Sequence, residues 1–198
     1  MKTPFCLELT NMVSKSPRRP QRPGAESSQR DLPPPGLLNS PEQVVKYYQQ
    51  MGLPMDASIP IEAIIESNNE LDLSFEDLGF NDAYIKRIAD DRFEIAVNSK
   101  HHPNRQRFSM AHEYAHYLLH RGKIDSMANG ERILHRNGDR NSIEYQANIF
   151  AAKLLMPEVL VRRAFRLSQG NLTKMALELG VSKESLRYRL GDLGYSVA

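Results

Sequence analysis

The chain has 198 residues, enough for one compact domain with small attachments. Twenty-six Lys plus Arg against 24 Asp plus Glu leave a net charge of +2, which excludes a molecule whose whole surface coats a polyanion. The lone cysteine, Cys6, excludes an internal disulfide and a Cys-rich zinc module.

No apolar run approaches the roughly 20 residues of a membrane span, and Glu8 and Asn11 interrupt any signal-like opening. The expectation is a soluble cytoplasmic protein without a membrane partner.

Residues 1–40 are expected to be a disordered, basic, Pro-rich tail. From Ser14 to Leu37 the chain is mostly Pro, Arg, Gln, Ser and Gly, with too few apolar groups to offset the entropy of ordering. The six basic against three acidic residues of 1–40 allow a basic arm on nucleic acid, although composition favours a solvated tail. Order is expected from Pro41. Ser40 can cap a helix over Pro41–Met51, with Pro41 in its first turn and Gly52 ending it. A second helix is predicted at Pro60–Glu66. Three strand-like runs follow, Leu71–Phe75, Ala83–Ile88 and Phe93–Val97, with Asp90-Asp91 as a hairpin turn between the last two. Arg105–Arg121 and Asn141–Met156 read as long helices, separated by a polar, loop-rich stretch. Two or three short helices complete the chain. Residues 41–156 hold thirteen basic and seventeen acidic groups, whereas 157–198 hold seven and four. The middle is therefore acidic and the end basic, which suggests different partners for each.

The chemistry concentrates in His112-Glu113-Tyr114-Ala115-His116, an H-E-x-x-H run on the first long helix. Residues four apart lie one turn above each other on one face, so two imidazoles can grip one ion. Glu113 projects beside that face, within reach of a water on the ion. Phe108, Ala111, Ala115, Leu118 and Leu119 form an apolar stripe with the two histidines at its edge. A catalytic zinc usually takes three protein ligands. His120 lies about 12 Å along the helix from His112, too far to share an ion, and reads as a group that supports a ligand or caps the helix end. Glu144 is the better third ligand, because it shares the apolar face of Ala147, Ala151, Leu154 and Leu155 and a carboxylate there needs a partner. The competing reading is a capping box made by Asn141 and Glu144. Glu131, His135 and Asp139 are weaker ligand alternatives.

The blocks Asn104–His120 and Glu144–Pro157 resemble the two signature blocks of the ImmA/IrrE-type metallopeptidases. The Pro60-Ile61-Glu62 helix and the Glu94–Asn98 strand also fit that family's layout. The resemblance covers about residues 41–160. It implies an α+β, zincin-like fold, with a small sheet packed on the H-E-x-x-H helix and a second ligand helix. It implies one Zn2+ per chain on His112, His116 and Glu144, with Glu113 as catalytic base. It further implies an endopeptidase whose protein substrate is a helix-turn-helix transcriptional repressor, cleaved to derepress mobile-element or stress-response genes. Tyr145, His120 and Arg105 are candidates to stabilise the oxyanion.

The metallopeptidase domain is expected over 41–157 and a helix-turn-helix-like segment over 158–198. In the latter, Ala176 faces the partner helix, Gly180 makes the turn, Val181 and Leu186 enter the core, and Ser182 caps the second helix. Lys183, Ser185, Arg187 and Tyr188 would then face DNA. This leaves an alternative to the enzyme: a regulator or toxin–antitoxin component that binds DNA or a partner protein through its C-terminal helices.

Overall fold

Pro41 opens helix α1 (Pro41–Gln50) under a cap in which the Ser40 side chain accepts from the Gln43 N–H. The computed structural model describes residues 34–124 and 139–195, all inside a unit spanning Leu32–Ala198. Packing begins before Pro41. Pro35–Leu37 form a 3-10 turn, Leu38 is buried, and a Cβ on Gly36 would meet Arg121 Nη1 at 2.9 Å and Tyr117 Oη at 3.1 Å. The rest of the expected tail lies outside the described residues.

Helix α2 (Ile61–Glu66) buries Ile61, Ile64 and Ile65. Strands β1 (Leu71–Glu76), β2 (Ala83–Ala89) and β3 (Arg92–Asn98) make one mixed sheet in the order β1-β3-β2. β2 and β3 are the expected hairpin, with Ile85 opposite Ile95 and a register shift between Arg87 and Ala89. β1 pairs parallel to β3, Leu71 opposite Phe93 and Phe75 opposite Val97. Central β3 buries Phe93, Ile95, Ala96 and Val97, leaving β2 as an edge strand among the described residues.

Helix α3 (Pro103–Leu119) packs on β2 and β3. It starts two residues earlier than predicted, because His102 caps it through Nδ1 and Pro103 supplies a fixed φ in the first turn. It also stops earlier, at His120, whose backbone leaves the helical region. Its C-terminal end is tied to the sheet: Tyr117 Oη donates to Glu70 at 2.8 Å, and the Arg121 guanidinium pairs with Glu70 over the Phe93 ring. Helix α4 (Asp139–Leu155) lies against α3, where the small residues Ala111 and Ala115 on one side and Ala147 and Ala151 on the other are fully buried.

Three short helices follow: α5 (Glu158–Ser168), α6 (Leu172–Leu179) and α7 (Lys183–Asp192). Asn171 caps α6, Gly180 closes it at φ +64°, and Ser182 caps α7. Ala176, Val181 and Leu186 are buried as expected. Leu160, Val161, Met175, Leu179 and Leu190 join the same apolar cluster as Phe93 and Tyr114. The described architecture is thus α+β, three strands and seven α-helices. No helix among the described residues is long and apolar enough to cross a membrane.

Candidate metal centre

His112 and His116 occupy adjacent turns of α3 at the edge of its buried stripe, which is why one is half-buried and the other buried. Their Nε2 atoms stand 3.0 Å apart. Close contact between the alanine faces of α3 and α4 brings Glu144 across to them. Its Oε2 lies 3.2 Å from His112 Nε2 and its Oε1 3.7 Å from His116 Nε2. The three potential ligand atoms lie within 4.8 Å of one another. The capping-box alternative loses its geometry, since Asn141 lies inside α4 rather than ahead of it.

Glu113 sits beside this cluster and accepts from the Ile85 backbone N–H of β2. Burial, chiefly, pushes its carboxyl above the usual range, although the two histidines and that N–H pull the other way. Burial alone would lower His112, but hydrogen bonding to Glu144 and the negative charge of Glu113 more than offset it, so the imidazole is raised. Glu144 is held well below the ordinary carboxylate range by the hydrogen bonds from His112 and His116.

The outer ring nitrogens are also engaged. His112 Nδ1–H donates to Asn148 Oδ1 at 2.9 Å, and Nε2 is the ring nitrogen turned to Glu144. His116 Nδ1 is 3.1 Å from His120 Nδ1, and His120 Nε2 is 3.1 Å from Gln146 Oε1. Gln146 Oε1 can only accept, so His120 carries its proton on Nε2 and accepts at Nδ1 from His116. His116 Nε2 is then the ring nitrogen turned to Glu144. Burial lowers the His120 pKa, which keeps the ring neutral for this role. Two imidazoles and a carboxylate, with each ring nitrogen behind them hydrogen-bonded, suit a divalent ion that takes the place of the Nε2 protons.

The structure brings His112, Glu113, His116 and Glu144 together. His120 stands behind His116, on the side opposite Glu144. Tyr145 is 66% exposed and next to the cluster in α4. Arg105 is committed to Asp82, Nη2 to Oδ1 at 2.6 Å, about 10 Å before His112 along the helix axis. Glu131, His135 and the Asp139 side chain lie outside the described residues. Asn148, Gln146 and Ile85 were not anticipated. Asn148 had a signal, being one turn beyond Glu144 on the same face. Gln146 and Ile85 had none, because their partners come from another helix and from a strand edge.

On α7, Lys183, Arg187 and Tyr188 are exposed, and Ser185 Oγ is bonded to Ser182 Oγ at 2.9 Å. The exposed basic groups alternate with Glu184 and Asp192, and Arg189 is buried with its Nε on the Met156 carbonyl.

A sequence profile described as the IrrE N-terminal-like domain matches residues 69–191, which includes the H-E-x-x-H helix, Glu144 and α5–α7. The chain is 32% identical over 131 residues to the radiation response metalloprotease IrrE of Deinococcus radiodurans, covering 62% of this chain and 37% of that protein. It is 28% identical over 108 residues to the metallopeptidase ImmA of Bacillus subtilis, covering 54% and 60%. Against IrrE of Deinococcus deserti it is 37% identical over 105 residues, covering 50% and 36%. The matched region thus spans between about a third and three fifths of the length of these curated relatives. On the match over most of its described length, the chain belongs to the ImmA/IrrE family.

Proposed function

We propose that the chain is a zinc-dependent endopeptidase acting on a protein substrate, with His112, His116 and Glu144 as ligands and Glu113 as general base. The observation that carries this reading is the convergence of the three ligand atoms with Glu113 beside them. The relatives named metalloproteases support it. A two-imidazole, one-carboxylate set suits zinc and leaves a coordination position open. When bound, zinc supplies Lewis acidity, which acidifies a water and polarises the scissile carbonyl.

The chain's own residues do the rest. Glu113, its pKa lifted by burial, accepts a proton from the attacking water and returns it to the leaving amine nitrogen. The Ile85 N–H holds that carboxylate in place. β2 offers backbone groups on its outer side to an extended polypeptide laid next to Glu113. The resemblance of the two motif blocks supports a helix-turn-helix repressor as substrate, with derepression as the outcome.

The test is Glu113→Gln. Elemental analysis is expected to find one zinc per chain retained, while cleavage of a candidate helix-turn-helix repressor from the same genome falls by about 10²–10⁴-fold. Undiminished cleavage by the zinc-loaded variant overturns the assignment of Glu113.

A further inference from the structure

A pocket of about 410 Å³ lies where α1, α4, α5 and α7 meet, and none of His112, Glu113, His116 or Glu144 lines it. Part of its wall is apolar: Val45 from α1, Met55 and Ile59 from the approach to α2, and Leu160 from α5. Arg189 of α7 also lines it and is only 8% exposed. Its Nε donates to the Met156 carbonyl at 3.0 Å, and its two terminal nitrogens have no partner among the described residues. A guanidinium buried to this degree ordinarily has acceptors for its whole fork.

The start of α5 opens into the same pocket. Pro157 holds the N-cap position, where it offers no side-chain acceptor. The first backbone bond of the helix runs from the Val161 N–H to the Pro157 carbonyl. The N–H groups of Glu158, Val159 and Leu160 therefore have no helical partner, and all three residues line the pocket. Over eleven residues α5 places partial positive charge at this end. Lys46 of α1 and Lys153 of α4 stand exposed on the rim without an ion pair among the described residues. Two carboxylates line it as well, but Glu158 is paired with Arg162 one turn on. Arg189, Lys46 and Lys153 thus face Glu42 as the one uncommitted acid, a surplus that matches a dianion.

We propose that this pocket binds a small phosphate monoester with an apolar body. The Arg189 fork and the first N–H groups of α5 take the phosphate oxygens, and Lys46 and Lys153 balance the second charge. The body of the ligand lies against Val45, Met55, Ile59 and Leu160. The volume falls in the range of about 300–1,000 Å³ typical of ligand clefts. A monocarboxylate would leave one of the positive charges unmatched. The proposal stands apart from the peptidase reading, because no residue of the metal centre takes part.

The test is calorimetry on the full chain, zinc-loaded and zinc-free, at about pH 7.5, where a phosphate monoester is close to a dianion. The probes are phenyl phosphate, inorganic phosphate and benzoate. Phenyl phosphate is expected to bind at least about tenfold tighter than inorganic phosphate, which lacks the apolar body, and than benzoate, which lacks the second charge. Arg189→Lys, which keeps the charge but removes the fork, is expected to weaken phenyl phosphate at least about tenfold. The double variant Lys46→Gln, Lys153→Gln changes only exposed side chains, so it keeps the test independent of folding, and it is expected to bring phenyl phosphate and benzoate close to equal. No phenyl phosphate binding in the wild type, benzoate bound as tightly, or an affinity that survives both variants overturns the proposal. Binding that disappears with the zinc places the phosphate on the metal centre and overturns it too. Duplex DNA binding that the lysine variant loses, in a chain that ignores phenyl phosphate, assigns the rim to a nucleic-acid backbone instead.

Discussion

The proton on His120 decides which nitrogen His116 presents to an ion. Because Gln146 Oε1 accepts from His120 Nε2, the chain of bonds runs in one direction to His116 Nε2. Gln146→Ala is expected to weaken zinc binding by about 10–100-fold in competition with a chromophoric chelator, and Gln146→Glu, which still accepts, to retain it. Equal affinity in all three proteins would remove Gln146 from the site. The metal-free chain has its own signature. Glu144 is lowered from 4.5, so its stabilising contribution is complete above 4.5 and lost as pH falls through the lowered value. His112 is raised from 6.5, so its contribution is complete below 6.5 and lost as pH rises through the raised value. The gap in urea midpoint between wild type and Glu144→Gln is therefore expected to be widest between pH 4.5 and 6.5 and to narrow on both sides. A gap that does not change with pH would show that Glu144 and His112 are uncoupled. At this scale the four central residues were legible because spacing and helix face define them. Gln146 was not, because its importance depends on a ring in another helix.

At the scale of elements, Arg107 joins three of them. Its Nε donates to the Gly180 carbonyl at 3.0 Å and its Nη2 to the Ile59 carbonyl at 2.7 Å, while Asn104 Nδ2 reaches the Val181 carbonyl at 2.9 Å. The first turns of α3 thereby hold the α6–α7 turn and the approach to α2. At Gly180, with φ +64°, a Cβ would meet Arg107 Nε at 2.9 Å, so the turn admits the arginine only because glycine is there. Arg107→Ala is expected to cost about 2–4 kcal/mol in urea unfolding, since two carbonyls lose a charged donor. A cost under about 0.5 kcal/mol would show that these contacts are dispensable. The strands and the Asp90-Asp91 hairpin were legible from apolar runs and turn residues. The sheet order was not: periodicity says which face of a strand is buried, not which strand lies beside it, and β1 finds β3 across the intervening β2.

Over the whole molecule, the sequence suggests a break near Pro157, where an acidic stretch gives way to a basic one. The described residues instead share one apolar cluster, from Ile61 and Phe93 to Leu186 and Leu190. Charge changes at the surface without the core being interrupted, and composition reports the surface. The placement of the ligands has a consequence for the chain's persistence. Because the donors come from two helices far apart in sequence, a bound ion is a cross-link that a chelator can open. With zinc as the proposed ion, folding free energy would include the free zinc concentration, gaining about 1.4 kcal/mol for each tenfold rise above the dissociation constant. Zinc starvation would disarm the site and loosen the fold in one step, so the inactive molecule would also be the one most readily degraded.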